Sequence, residues 1–526
     1  MKPLPAALVL VLLWTGCRLT FLKHIGFPEP ESFDEFSYLL GADTFAHGRL
    51  TNPPHPMAKF FESPHEIFHP TYASKYPPGQ AMFLALGQRL FGRPFYGVLI
   101  GNALMLFTFC LMLYAWVSPP WAIAVSAMFG CVLSPEMYWT NTYSGGSVAA
   151  IGGALILLGV GIYRKRAGLI AGAVFAAGAI LLFWTRPFEG GVFVLLVLIV
   201  FARELWRQRS LSAFVTALCL LAIGASWSCY YNRAVTGNPF LLPYILHVRQ
   251  YDVAPLFWFM PLRPQPTYSS SRMEVMHGIN SWEVSIYKDK LPGWRRIPGE
   301  WEKVVRSLEI SLRIALLLTL LFGVAWRDLR YRSAAIIAGL FCLILSFETF
   351  HFEHYTAPAW AAFALMIAVW AEHSWSFNIR KEPVGIVIVC VVLALPIYFA
   401  RPRLFVLLQR VIGTQSNDTQ SEVSPDEMFG LNAPLIEQLS HLKQKQLVIV
   451  RYPSPDWIDA GEWVFNSADI DSQRVVLAHD LGPEQDRALL NYYPDRVALL
   501  LTFDAVTRRH QIQPYLDAQS QKPNTN

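Results

Sequence analysis

Apolar runs recur through the first 400 residues, at about 6–21, 95–117, 121–136, 148–163, 168–184, 190–203, 211–230, 309–326, 333–348, 356–372 and 384–400. Each predicts a membrane helix, although several fall short of the roughly 20 residues that cross a bilayer unaided, which leaves their ends loosely defined. The first run follows Lys2 and reads as an uncleaved membrane helix rather than a signal peptide, because Trp14-Thr15-Gly16-Cys17 makes a poor cleavage site. Between the runs lie two long polar and aromatic stretches, 23–78 and 231–308, and short turns at Glu136 to Gly146, Thr185 to Gly190 and Glu348 to Tyr355.

The pattern changes after residue 400. A polar segment, 411–430, reads as a linker within a 401–430 connection. Leu447 to Val450, Val475 to Ala478 and Val497 to Leu501 then read as buried strands, with a helical pattern from Gly482 to Tyr493 before the last. Alternating strands and helix predict a small, partly parallel α/β domain over 431–526. The expected architecture is therefore a polytopic α-helical membrane unit over 1–400, with about eleven spans, a large first outside loop and a soluble C-terminal α/β domain.

Charge orients the runs. With the N-terminus inside, Arg164-Lys165-Arg166, Arg203/Arg207/Arg209, Arg327/Arg330/Arg332 and Arg380-Lys381 all fall on the cytoplasmic side. Loop 23–78, loop 231–308 and the tail then fall outside, which predicts a multi-pass protein of the cell inner membrane with an extracytoplasmic working face. Composition agrees: 53% of residues are hydrophobic and 15% charged, with a net charge of +5, against about 25% charged in soluble domains. So small a positive balance, spread over short loops, does not point to nucleic acid. The seven cysteines lie in or beside apolar runs with no C-x-x-C, so neither a disulfide framework nor a zinc site is expected of them.

Chemistry concentrates on the outside face. Ser32-Phe33-Asp34-Glu35 has capping-box spacing and predicts a helix to about Ala46, ended at Gly48. A capping box needs one acid, and here there are two. Asp34, Tyr38, Gly41 and Phe45 share a stripe that faces whatever the loop covers. Lys75 precedes Pro77-Pro78 at a helix start, where an ammonium suits a phosphate. Arg186 and Glu189 occupy an outer turn where charge marks function, or else pair with each other to shape it. Glu136, His351, His354 and Tyr355 end other runs at the same level, and with Tyr38 and Glu189 they are candidate substrate-binding residues. His47, His55, His65 and His69 lack metal-ligand spacing and read as polar loop residues. Cations beside a carboxylate at a membrane surface suit sugar transfer from a polyprenyl monophosphate: Lys75 and Arg186 hold the leaving phosphate and the acid activates a hydroxyl.

Phe33-Asp34-Glu35 with its helix, the lysine before paired prolines and the many spans resemble the GT-C membrane glycosyltransferases, in particular the protein mannosyltransferase-like family 39, with lipid A aminoarabinose transferases as cousins. The resemblance covers roughly 1–400 and is strongest over 31–92. It implies that Asp34 is the catalytic base and that Lys75, with Tyr72 nearby, contacts the donor phosphate. The chain departs from the Glu-Lys-Pro-Pro pattern, having Ser74-Lys75-Tyr76-Pro77-Pro78, and adjacent Asp34 and Glu35 leave the choice of base open. The tail, with Glu462-Trp463-Val464 and Tyr492-Tyr493-Pro494, resembles uncharacterised bacterial members and implies no activity. No particular cofactor is identified; a divalent cation is compatible, and the polyprenyl-phosphate sugar is the donor substrate. The partners implied are membrane lipids and a glycan, lipid or protein acceptor. The rival readings are a lipid-linked-sugar transporter or flippase, a ligase using a pyrophosphate carrier, and a membrane-anchored binding protein whose tail does the work.

Overall fold

The computed structural model describes residues 2–30, 32–133, 137–288, 293–321, 323–379, 381–412, 432–454, 463–503 and 510–515. Glu136, Glu462 and the linker from 413 to 431 lie outside them.

Each of the eleven apolar runs holds a helix. Among the described residues four stretches, Pro3–His24, Phe95–Trp116, Ser147–Lys165 and Leu211–Thr236, are long and apolar enough to cross a membrane by themselves. The shorter apolar helices are Pro119–Val132, Leu169–Phe183, Pro187–Val200, Ile310–Leu321 and Val384–Ala400. Helix Trp360–Ser374 is buried almost all round, and helices Pro119–Val132, Ser147–Lys165, Ile310–Leu321 and Leu329–Leu345 pack around it. A helix apolar on every side belongs at the centre of such a bundle. Outward-facing Leu12, Leu13, Ile170, Ile199, Phe214 and Leu218 are exposed, as a lipid-facing belt requires.

The bundle has two distinct ends. At one, Arg164 pairs with Glu204 at 3.1 Å, Arg330 with Glu372 at 2.9 Å, and the Ser118 amide donates to Glu372. The basic turns thus gather at one end. The opposite end carries the first loop. Helix α1 (Pro3–Ile25) stops at Gly26, whose φ of 88° favours glycine. Helix α2 (Phe33–Ala46) starts with the expected capping box: Ser32 and Glu35 cap each other reciprocally. A two-stranded ribbon follows, β1 (Glu66–Ile67) antiparallel to β2 (Ala73–Ser74). Pro77-Pro78 then open helix α3 (Pro78–Phe91), and α4 (Phe95–Trp116) returns across the bundle.

The tail forms a four-stranded sheet in the order β4-β3-β5-β6. Strand β3 (Gln446–Arg451) lies parallel to β4 (Val475–His479) and β5 (Val497–Phe503), and β6 (His510–Pro514) runs antiparallel on β5. The three apolar strands form where the pattern predicts; polar β6 carried no such signal. The sheet does not stand apart from the first loop. Phe60, Phe61, Phe68 and Tyr72 share one core with Leu447, Ile449, Val476 and Leu500.

Candidate active site

The site is assembled on α2. Asp34 and Ser37 lie one turn apart on the same face. The Ser37 hydroxyl lies 2.8 Å from that of Ser74 and also donates to the His65 carbonyl at 2.6 Å, fastening the β1–β2 ribbon to the helix. Beyond the paired strands the Lys75 amide donates to the same carbonyl at 3.3 Å, so the ribbon sets His65 and Lys75 side by side. His65 adopts a left-handed backbone, φ 68°, a conformation uncommon outside glycine that a tied carbonyl helps to hold.

His65 Nδ1 sits 2.5 Å from Asp34 Oδ1, and the Tyr76 hydroxyl donates to that same oxygen. Burial raises the Asp34 carboxyl, but His65, Lys75 and the Tyr76 hydroxyl outweigh it and hold the group below the ordinary carboxylate range. Burial, with Lys75, pushes the His65 imidazole down. Asp34 is therefore held as a carboxylate, beside an imidazole whose cationic form burial disfavours.

Asp34 opens into a cavity of about 380 Å³, lined also by Tyr76, Arg186, Glu189, Tyr244, Glu348, His354 and Tyr355 and by apolar Pro77, Phe188, Leu242, Ile245 and Phe257. A close backbone approach brings the Arg186 turn here. The Gly79 amide donates to the Trp184 carbonyl at 2.6 Å, and a Cβ on Gly79 would lie 2.5 Å from Thr185 Cγ2. Arg186 Nη1 lies 3.3 Å from Glu189 Oε1, its guanidinium stands over the Tyr355 ring, and its buried Nη2 has no hydrogen-bond partner among the described residues. Burial, reinforced by Glu189, raises the Glu348 carboxyl well above its usual value. The long loop closes the wall: helix Pro243–Gln250 contributes Tyr244, and the Thr349 amide donates to the Leu256 carbonyl.

Lys75 is buried but does not line the cavity. Its ammonium lies 5.3 Å from the centres of both the Tyr76 and Tyr244 rings, which do line it, and it makes no ion pair among the described residues. Tyr38 stacks on Tyr76 at 4.3 Å, one layer behind the wall.

Like Lys75 and Tyr38, three further expected site residues lie off the cavity. Glu35 faces away from the cavity: one oxygen accepts from the Ser32 amide and the other from the Tyr143 amide at 2.8 Å, as a capping acid does. Tyr72 does not line the cavity. Its hydroxyl donates to the Asn466 carbonyl and its ring packs under the C-terminal sheet, because apolar burial outweighs proximity in sequence. His351 is held by Glu300 at 2.8 Å and lies off the cavity. Sequence reading passed over His65, Tyr76, Tyr244 and Glu348. His65 was only one of four scattered histidines; its adjacency to Lys75 across a ribbon was the missed signal.

The chain can be set beside solved structures at this point. The crystal structure of ArnT from Cupriavidus metallidurans in the apo state matches 98% of this chain and 96% of its own, with 14% identity and a TM-score of 0.50. The fold is GT-C. The same ArnT bound to undecaprenyl phosphate matches with a TM-score of 0.48 and 15% identity, over 94% of this chain and 93% of that one. The Archaeoglobus fulgidus oligosaccharyltransferase AglB, in complex with an inhibitory peptide and a dolichol-phosphate, matches 99% of this chain and 75% of its own at 9% identity and a TM-score of 0.47. No family model matches the sequence, and no curated protein does. At 14% identity the likeness to the apo ArnT structure shows the fold alone and leaves the reaction to the residues.

Proposed function

We propose that this protein is an inverting glycosyltransferase of the GT-C class, close to family 39, that moves a sugar from a polyprenyl monophosphate to a hydroxyl of an extracytoplasmic glycan, lipid or protein. The observation that carries the reading is the pairing, across one cavity, of the ionised Asp34 carboxylate with an Arg186 guanidinium that keeps a buried N–H unpartnered. In this reading Asp34 takes the proton of the acceptor hydroxyl, whose oxygen attacks the anomeric carbon from the face opposite the phosphate. The bond from that carbon to the phosphate oxygen breaks, and Arg186 holds the departing phosphate, with Lys75 supplying positive charge behind the Tyr76–Tyr244 wall. Glu189, Glu348, His354 and Tyr355 are placed to contact sugar hydroxyls.

The low affinity of Asp34 for a proton fits a carboxylate held by the His65 and Tyr76 side chains and by the charge of Lys75. A bound phosphate would draw on that charge, raising the carboxylate toward a stronger base only when donor is present. The basic turns at the far end of the bundle support placing that end in the cytoplasm and the cavity outside the inner membrane.

The test is purified full-length protein supplied with undecaprenyl- and dolichyl-phosphate sugars and, in parallel, pyrophosphate-linked glycans, with release of free carrier measured. Release from monophosphate donors is expected, and Asp34→Asn should reduce it about 10²- to 10⁴-fold while leaving the melting temperature in place. Release confined to pyrophosphate donors would establish the ligase instead. Arg186→Ala should raise KM for the donor about 10- to 100-fold, the loss of one charge-assisted contact.

A further inference from the structure

Behind the cavity wall the long loop gathers a second set of chemically active side chains. His247 lies on helix Pro243–Gln250, Asp252 follows two residues after that helix ends, and His277 closes helix Ser271–His277. The Val253 amide donates to the His277 carbonyl at 3.0 Å, locking the two segments together. Both histidines are fully buried and Asp252 is 9% exposed. None of the three lines the cavity.

Asp252 Oδ1 lies 3.3 Å from His247 Nδ1 and 3.2 Å from His277 Nδ1, and one ligand atom from each residue lies within 4.8 Å of the other two. Bonds of about 2.0–2.1 Å around a tetrahedral ion place neighbouring ligand atoms roughly 3.3 Å apart, which two edges of this triangle already match. Of the triangle's atoms His277 Nδ1 also meets Glu283 Oε2, at 3.1 Å. Both nitrogens of His247, Asp252 Oδ1 and His277 Nε2 are buried without a hydrogen bond among the described residues, an arrangement that burial alone makes unfavourable. A neutral His247 with its proton on Nδ1 would reach Asp252 Oδ1 only at 3.3 Å, and Nε2 of both rings would still lack a partner among the described residues.

We propose that His247, Asp252 and His277 form a binding site for a divalent transition metal of the zinc class, with Glu283 beside the remaining coordination position. Two imidazoles and a carboxylate select zinc-like ions over calcium or magnesium, which take all-oxygen sets. The site has a positioning role. The His65 ring lies 6.0 Å from that of His247 and 5.8 Å from that of His277 while its Nδ1 meets Asp34, so an ion here fixes the long loop against the partner of the proposed base.

The test uses full-length protein purified in detergent. Elemental analysis should find about one zinc per chain, lost in Asp252→Asn and in His247→Asn and retained in His47→Ala, a control at an exposed histidine. Because a ligand variant could misfold, chelator-treated wild-type protein is also melted with zinc or magnesium added: zinc should raise the melting temperature by several degrees and magnesium should not. Cobalt(II) in place of zinc should give a visible absorption band absent from Asp252→Asn. A folded wild-type protein that carries no zinc and shows no zinc-dependent shift overturns the proposal. So does zinc retained undiminished by Asp252→Asn, or a shift produced by magnesium alone. These readouts are independent of glycosyl transfer.

Discussion

The Tyr143 amide holds one oxygen of Glu35 and the Ser32 amide the other, while one residue earlier Asp34 meets His65 and the open cavity. Neighbouring acids on a helix point about 100° apart, so one secures the helix and the other is left facing the cavity. Glu35→Ala should therefore destabilise the protein, by about 1–3 kcal/mol for the amides left unsatisfied, with turnover per folded molecule within a few-fold of wild type; a melting curve beside specific activity separates the two effects. Glu62 provides a pH test at the same scale. Burial raises its carboxyl to about 7, with the Tyr251 hydroxyl opposing, and the Ser269 hydroxyl donates to its other oxygen. An acid raised in the folded state stabilises fully below its unfolded pKa, and that contribution is lost as pH climbs toward 7. Glu62→Gln should thus gain relative to wild type between pH 5 and about 8, by at most roughly 3 kcal/mol, read from denaturation at the two pH values.

Among the elements, the join between α3 and the 184–186 turn decides whether the site exists. The amide of Gly79 bonds to the Trp184 carbonyl, and its missing Cβ leaves room for that carbonyl, which would otherwise lie 2.7 Å away. Gly79→Ala must push α3 off the turn, moving Arg186 relative to Asp34. A loss of about 1–3 kcal/mol is expected from the overpacking, together with a fall in kcat, since misplacement by about an ångström is costly to catalysis. The capping box, the proline start of α3 and the apolar strands were legible in sequence because each is a local pattern. The His65–Lys75 juxtaposition was not: it depends on a two-residue ribbon too short to leave an alternating signature.

At the scale of the whole molecule, the first loop and the tail fold as partners. The stack of Phe36 on Phe465 at 3.7 Å, the Asp43 carboxylate on the Ala468 amide and His479 on the Glu62 carbonyl join them across more than 400 residues. Removing residues 432–526 would expose Phe60, Phe61, Phe68 and Tyr72 together. The truncated protein should aggregate or melt earlier than the full chain, and Phe36→Ala should show a milder form of the same loss. Sequence alone suggested a separate soluble domain beyond a linker.

What the sequence determined by itself was what depends on neighbours along the chain: apolar runs that must be helices in lipid, basic turns between them, the cap that starts α2, and strands in the tail. Tertiary structure decided which of the polar residues meet. Asp34, His65, Arg186, Tyr244 and Glu348 come from five separated segments, and their partnership is set by packing and by close backbone approach at Gly79. Those contacts are long-range, so no periodicity or spacing within one segment records them. Burial settled the rest, turning Tyr72 under the sheet and leaving His247, Asp252 and His277 to face one another.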